Sequence, residues 1–313
     1  MNIDKNAKVM FIGGHLTPAL ALVQEFKEYQ INNLIWVGTK HSQTNSTNLS
    51  AEYIEVEKLK IPFYEFKTGK LWRKWTIKTF HLGVLQLLLI PWGFVKAFFL
   101  LLKLRPKLVI GFGGYLQLPL ILWARILGIY SIIHEQTSVI GTANRYAGKF
   151  ANRIFLSWPE TMNLFEKDKV LLVGNLLRKG FYENQKVINN IFNNSKPIIL
   201  VTGGNQGANT INKRLFAFLP SILSNVNIIH QVGNSSITKD FENAQSIFNN
   251  LPEDLKASYK FFADDFGNFD DYMRMANIIV SRSGANTVTE ILALGKLAVL
   301  IPIPWSSQME QQK

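Results

Sequence analysis

The 313-residue chain contains no cysteine. Disulfides, thiolate zinc sites and a cysteine nucleophile are therefore excluded, and the absence fits a reducing compartment without requiring one. Acidic side chains are scarce: 22 Asp and Glu stand against 34 Lys and Arg, for a formal charge of +12. A surplus of that size calls for an anionic partner, which means nucleic acid, a phospholipid surface or a phosphorylated substrate. No arginine-rich arm, helix-turn-helix or aromatic RNA-binding strand is present, so nucleic acid is not the expected partner. The N-terminus lacks the basic, apolar and small-residue layout of a signal peptide, and its apolar run at residues 9–12 is too short for one. The acid pairs Asp264-Asp265 and Asp270-Asp271 form no metal cage, and helix capping is the expected role for Asp264 or Asp265.

What the chain does have is apolar material. Apolar residues make up 47% and charged residues 18%, enough for two ordinary cores and too few charges for wholesale disorder. Short β-branched runs at 8–12, 34–38, 108–111, 130–134 and 153–156 alternate with helical stretches. A second series follows at 198–202, 226–231, 278–281 and 297–301. Each run is nearly continuous in apolar character, as a strand covered by helices on both faces is. Strand–helix alternation predicts α/β units with parallel sheets. The two series predict two domains, 1–174 and 175–313, with a linker around 174–179. Residues 184–195, polar and Asn-rich, read as a loop or weak helix. The chain stops at Lys313 with no closing element after its last apolar strand, so a C-terminal part is expected beyond it.

Residues 81–104 are clustered Leu, Phe and Trp. A bilayer span needs about 20 apolar residues. Here Gln86, Pro91 and Lys96 interrupt the run, and Pro91 is expected to split it into two shorter helices. Lys70, Arg73, Lys74 and Lys78 precede it, and Lys103, Arg105 and Lys107 follow. Basic flanks with Trp72, Trp75 and Trp92 predict a helix that lies on an anionic membrane surface; a buried crossover helix and a true span are the alternatives.

Five polar turns follow strands. Gly13-Gly14-His15 opens a helix that Thr17 is expected to cap, with Pro18 in the first turn. A glycine turn at a helix N-terminus offers N–H groups and a positive dipole end to phosphate, and His15 can exchange a proton near neutrality. The structural alternative is a tight turn with an incidental histidine. Thr202-Gly203-Gly204-Asn205-Gln206-Gly207-Ala208 repeats the device with three glycines, more than a simple turn requires. In Ser281-Arg282-Ser283-Gly284-Ala285-Asn286-Thr287-Val288-Thr289-Glu290, the pair Thr287 and Glu290 has capping-box spacing. Glu290 could instead accept hydrogen bonds from a sugar diol. Gly111-Phe112-Gly113-Gly114-Tyr115 and His134-Glu135-Gln136-Thr137 close two further strands, where polar groups point into a ligand crevice. His134 alone reads more readily as a core histidine than as a catalyst.

Taken in order, GGHLTPALAL, GFGGY, HEQTSVIGTANR, FANRIFLS, GNLLR, GGNQGAN, RSGANTVTE and EQQ resemble the MurG family of glycosyltransferases, from about Lys8 to the end of the chain. The resemblance implies the GT-B architecture, two Rossmann-like domains facing across a cleft. It implies inverting transfer of N-acetylglucosamine from UDP-N-acetylglucosamine to undecaprenyl-pyrophosphoryl-N-acetylmuramyl-pentapeptide, at the cytoplasmic face of the membrane and without a cofactor or metal. It makes His15 the general base, and places Gly13, Gly14, Tyr115, Glu135, Thr137 and Asn144 at the acceptor and its phosphates. Arg178, Asn205, Gln206, Ala263, Ala285, Asn286, Thr287, Val288 and Glu290 fall to the donor nucleotide, with Glu290 on the ribose, and Gln311 and Gln312 to the transferred sugar. Departures from the pattern are a shorter first glycine run, Ile12 where Thr is usual, Thr137 for Asn and Asn205 for Ser. The remaining alternatives are another GT-B enzyme, whether a lipid glycosyltransferase or a sugar-nucleotide epimerase, and a non-catalytic lipid-carrier-binding protein.

Overall fold

A computed structural model of the chain describes residues 4–41, 49–69, 80–182, 190–204, 207–233, 235, 237–263, 267–304 and 311–312. It divides into two compact units, Met1–Arg178 and Lys179–Lys313. Residues 175–178 go with the first unit, where Leu176 packs against an apolar core.

The first unit is a seven-stranded parallel sheet. Its strands are β1 (Val9–Ile12), β2 (Leu34–Gly38), β3 (Phe63–Glu65), β4 (Leu108–Gly111), β5 (Tyr130–Glu135), β6 (Arg153–Leu156) and β7 (Val170–Leu172). Its helices are α1 (Leu16–Glu28), α2 (Ala51–Lys58), α3 (Phe80–Leu104), α4 (Gln117–Ile126) and α5 (Thr142–Ala147). The order across the sheet is β3-β2-β1-β4-β5-β6-β7. The period-two alternation of a strand sorts β1 into two cores. Met10 and Ile12 join Val37, Val109, Leu120 and Ile133 on one face, while Val9 and Phe11 join Trp36, Ile110 and Phe112 on the other. Phe11 is stacked between Trp36 and Phe112, at centroid distances of 5.7 and 6.2 Å.

Two local expectations are corrected here. Thr17 is not the cap of α1. His15 holds the N-cap position without a side-chain bond, and Thr17 lies inside the first turn. The loop backbone decides this: Gly13 N donates to Val37 O (2.8 Å) and His15 N to Phe112 O (3.0 Å), so the chain is already turning at Leu16. Nor does Pro91 split residues 81–104, because α3 is one helix of 25 residues with Pro91 inside. Proline removes one hydrogen bond from the ladder, but residues of the segment after β3 pack across the helix near that point. A Cβ on Gly69 would strike the Gln86 carbonyl, and one on Gly93 would strike the Thr68 side chain.

Burial along α3 is a narrow stripe: Gly83, Gly93, Ala97, Leu101 and Leu104 face inward. Phe80, Leu85, Leu88, Trp92 and Phe99 are each more than half exposed. The helix is long and apolar enough to cross a membrane by composition, with only 17% of that window buried. A span would have to separate its two ends. Here both ends connect to one sheet, out of β3 and into β4, and Lys107 N is already bonded to Lys8 O (2.8 Å).

The second unit is a five-stranded parallel sheet of β8 (Ile198–Thr202), β9 (Asn227–Gln231), β10 (Tyr259–Phe262), β11 (Ile278–Ser281) and β12 (Leu297–Leu300), ordered β10-β9-β8-β11-β12. Its helices are α6 (Asn209–Ile222), α7 (Asp240–Asn250), α8 (Glu253–Lys256), α9 (Phe269–Met275) and α10 (Ala285–Ala293). Val201, Ile211, Leu219, Leu223, Ile228 and Tyr259 form its core. Asp270 and Asp271 stand in the first turn of α9, whereas Asp264 and Asp265 lie outside the described residues, as do residues 184–189. The expected capping box of α10 is also corrected. The N-cap is Gly284, which puts Thr287 inside the helix, so Glu290 cannot close a box with it.

Within that core His230 is fully buried. Its Nε2 meets Asn212 Oδ1 (3.0 Å) and its Nδ1 meets the Tyr259 hydroxyl (3.0 Å). Because Asn212 Nδ2 donates to Val232 O, Oδ1 must accept, so Nε2 carries the proton and Nδ1 accepts from Tyr259. Burial pushes the His230 pKa down to about 3. Its unfolded value is about 6.5, so between these limits the unfolded chain binds the extra proton. Stability is complete above the unfolded pKa and falls as pH drops toward the folded one. From about pH 6.5 to 4.5 the second unit is expected to lose roughly 2 kcal/mol through this residue. Urea midpoints followed by far-UV circular dichroism check it; a midpoint unchanged over that interval contradicts it.

Candidate active site

In the first unit the strand order reverses between β1 and β4, and open α/β sheets bind ligands at the carboxyl side of such a switch point. The two loops that leave it are residues 13–15 and 111–115. They touch backbone to backbone: a Cβ on Gly14 would lie 2.5 Å from Gly113 O and 2.7 Å from Phe112 O. Gly113 and Gly114 both have left-handed backbone, at φ +80° and +79°, which only glycine adopts without strain.

A chain of amides ties this pair of loops to β5. Gln117, at the start of α4, accepts from Gly113 N (3.0 Å) and donates to Asn144 Oδ1. Asn144 Nδ2 donates to His134 O (3.2 Å) and to Glu135 Oε2 (2.9 Å). Glu135 accepts two further bonds from Thr137, at N (3.1 Å) and Oγ1 (2.7 Å), and one from Gly141 N (3.0 Å). Glu135 and Asn144, both 2% exposed, thus spend their polar atoms on the scaffold. Their service to the site is to hold the three loops in register. His134 is buried beneath them, with Nε2 3.3 Å from both Gly174 O and Ser157 Oγ, and burial pushes its pKa to about 4. The reading of His134 as a core histidine fits that environment.

His15 sits at the open rim with its ring against Gly113, where a Cβ would come within 3.1 Å of Cδ2. The protein packed beneath it lowers its pKa, and the charge of Glu135 opposes part of that shift. The imidazole is therefore neutral at physiological pH and free to accept a proton. Tyr115 is half-buried on the same loop cluster, and burial, with the charge of Glu52 second, raises its pKa so that it stays a donor. Glu52 itself is a site residue that the sequence reading missed. It comes from the first turn of α2 and accepts from Trp36 Nε1 (2.7 Å), with its carboxyl against Gly13.

The second unit repeats the arrangement. Its order reverses between β8 and β11; a glycine-rich loop leaves β8 and a Ser-Gly turn leaves β11. Gly204 and Gly207 have φ +78° and +76°, and a Cβ on Gly207 would strike Val232 O. Thr202 Oγ1 braces the first loop between Gln231 Oε1 (2.5 Å) and Gly204 N (3.0 Å). Asn205 and Gln206 lie outside the described residues. On the second loop Ala285, Asn286, Thr287 and Val288 are half-buried in the first turn of α10, and Glu290 is buried one turn on. Gln311 is brought to that helix end: its carbonyl accepts from Ser283 Oγ (2.8 Å) and its Oε1 from Ile303 N (3.0 Å). Gln312 is exposed beside it, and Ala263 lies half-buried just after β10. Arg178 is nearly buried at the end of the first unit. Among the described residues no cluster of three or more metal-binding side chains occurs.

Residues 12–156 match the glycosyltransferase family 28 N-terminal domain and residues 198–313 its C-terminal domain. The chain belongs to the MurG family, within glycosyltransferase family 28. A relative from Desulfotalea psychrophila, a UDP-N-acetylglucosamine–N-acetylmuramyl-(pentapeptide) pyrophosphoryl-undecaprenol N-acetylglucosamine transferase, is 33% identical over 96% of this chain and 77% of its own length. The enzyme of the same description from Treponema denticola is 30% identical over the same shares. Among solved structures, Acinetobacter baumannii MurG aligns with TM-score 0.60 and 24% identity over 97% of this chain and 80% of that one. A UDP-GlcNAc 2-epimerase from Neisseria meningitidis, bound to UDP-GlcNAc, aligns at 0.59 with 15% identity, over 94% of this chain and 82% of its own, which is a likeness of fold. The GT-B fold class is thus shared across both.

At Gly14 the two loops of this MurG-type pair meet backbone to backbone, and neither partner can rotate away. Gly14→Ala is expected to destabilise the first unit by about 1–3 kcal/mol through overpacking. Urea unfolding of the variant against wild type measures it, and a loss below about 0.5 kcal/mol would show that the loops separate freely.

Proposed function

We propose that this chain transfers N-acetylglucosamine from UDP-N-acetylglucosamine to N-acetylmuramyl-pentapeptide carried on undecaprenyl diphosphate. The observation that carries the reading is a neutral His15 at the switch-point rim of the first unit, in a chain of this family. The acceptor hydroxyl gives its proton to the His15 imidazole as its oxygen attacks the anomeric carbon. The bond from that carbon to the UDP oxygen breaks on the opposite face, so one displacement inverts the configuration. Gly13, Gly14 and the N-terminus of α1 receive the acceptor diphosphate, with Tyr115 as a neutral donor nearby. Glu135, Thr137 and Asn144 hold the loops that shape this end. Arg178, at the end of the first unit, and Asn205, Gln206, Ala263 and residues 285–288 of the second hold the nucleotide, Glu290 its ribose diol, and Gln311 and Gln312 the sugar. The N-terminus of α10 meets the negative charge that develops on the departing UDP.

The lipid tail of such an acceptor stays in a bilayer, and α3 supplies the surface that reaches it. The chain leaving the carboxyl end of β3 meets α3 between Gln86 and Gly93. The more exposed half, residues 80–92, therefore lies at the same edge of the sheet as the site loops. Leu85, Leu88 and Trp92 enter the acyl boundary of the cytoplasmic leaflet, while Lys96, Lys103, Arg105 and Lys107 meet anionic headgroups at about 1 kcal/mol each. This face also separates the reading from a 2-epimerase, whose soluble substrate needs no apolar face.

His15→Ala is expected to lower kcat by about 10²–10⁴-fold, with UDP affinity within a few-fold of wild type. A radiolabelled transfer assay with the lipid acceptor, beside calorimetry with UDP, tests both halves of that statement. Near-normal turnover with chemistry rate-limiting would make His15 structural.

Flotation with vesicles tests the docking. Binding to anionic vesicles that weakens with salt, together with release by alkaline carbonate, is the expected result. Resistance to carbonate would mean a span, and no binding at all would leave α3 without a membrane role.

A further inference from the structure

The proposed transfer leaves one carboxyl group at the site unused. Glu52 reaches from α2 over the carboxyl ends of β1 and β2, and two glycines give it room. A Cβ on Gly38 would lie 2.7 Å from Oε1, and a Cβ on Gly13 would fall within the carboxyl itself. Its donors are Trp36 Nε1 (2.7 Å) and a backbone bond at Thr39. Among the described residues no cation is paired with it. The contrast with Glu135 is sharp, since that carboxylate accepts four hydrogen bonds.

The titratable groups on the surrounding elements are His15 after β1, Lys40 and His41 after β2, Tyr53 on α2, and Tyr115 after β4. Lys40 is turned onto the Tyr53 ring, with Nζ 5.2 Å from its centroid. Burial raises the pKa of Glu52 to about 7, against the pull of the Trp36 and Thr39 bonds.

We propose that Glu52 binds the acceptor as a neutral carboxylic acid, donating a hydrogen bond to a non-bridging oxygen of its diphosphate. This rests on the assignment of the acceptor to the first unit. A diphosphate at Gly13 and the N-terminus of α1 sets its charge against this carboxyl, with no paired cation to offset it. A proton on Glu52 removes the repulsion and turns an acceptor atom into a donor. Acceptor and proton therefore bind together, and Glu52 acts as a positioning and specificity residue for a diphosphate-linked acceptor.

The probe is a short-chain, water-soluble prenyl-diphosphoryl-N-acetylmuramic acid derivative, a diphosphate diester with no ionisation of its own near neutrality. Its Kd is expected to weaken roughly 20-fold from about pH 6.5 to 8.5, the linkage for an obligatory proton on a group of this pKa. His15 has already lost its proton over most of that range. Glu52→Gln, which keeps a donor without a titration, is expected to show a Kd that changes by less than about twofold over the same interval. Calorimetry of the wild type in two buffers of different ionisation enthalpy should show uptake of close to one proton at the alkaline end, and needs no variant. A flat wild-type Kd without proton uptake overturns the proposal, and so does a Gln variant that keeps the wild-type slope. A parallel transfer assay separates the readings. Sugar transfer with a flat Kd removes Glu52 alone, whereas proton-linked binding without transfer removes the activity and leaves Glu52. Failure of the probe to bind at any pH removes both.

Discussion

The first unit is organised around a contact between two stretches of main chain. Gly14 lies on the carbonyls of Phe112 and Gly113, and the His15 amide is bonded to Phe112 O (3.0 Å). Nothing with a side chain fits at that point. From it follows the direction of α1, which must begin at Leu16, and the seat of the His15 ring over Gly113. The amide chain through Gln117 and Asn144 transmits the same constraint to β5, so the acidic loop at Glu135 is in register with the histidine loop. With a rigid backbone junction here, the loops do not need to be assembled by ligand.

The two units solve the same geometric problem with different parts. Each has parallel strands whose order reverses at the middle, and each sends turns that contain glycine out of the two strands at the reversal. In the first unit the loops are locked by side-chain amides of sequence-distant residues. In the second, Thr202 and Gln231 brace one loop, and Ser283 with Gln311 braces the other. Among the described residues the first unit brings a histidine and a half-buried carboxyl group to its rim, and the second brings a buried Glu290. The proposed division between proton transfer and nucleotide holding calls for a difference of this kind.

The sequence exposes what is local and hides what is not. The central strands were readable because burial on both faces makes them continuous apolar runs, as in Val9–Ile12 and Leu108–Gly111. The strands it missed, Phe63–Glu65, Val170–Leu172 and Tyr259–Phe262, are all at sheet edges, and they are short and partly exposed. Glycine loops after strands were readable because left-handed backbone at Gly113, Gly114, Gly204 and Gly207, and close backbone approach at Gly14, demand that residue. The Thr287–Glu290 spacing misled because a capping pattern carries no information about where a strand hands over to Gly284. Glu52 was invisible: its neighbours Gly13 and Trp36 are far away in sequence, and a Glu in a first helical turn reads as a response to the helix dipole. The course of α3 through Pro91 was missed for the same reason, since the packing of Gly69 and Thr68 across it is a tertiary fact.

The membrane docking proposed for the exposed stripe of α3 has a kinetic consequence. At 25 residues the helix is roughly 37 Å long, about 1.5 Å per residue, and much of that length is apolar surface turned outward. A protein held flat by such a face meets a lipid-borne substrate by lateral diffusion in two dimensions. Its encounter rate then depends on the number of lipid molecules per unit of membrane area, and the bulk concentration of the protein matters only until the surface is occupied. The soluble nucleotide sugar still arrives from three dimensions, so the two substrates are supplied under different laws.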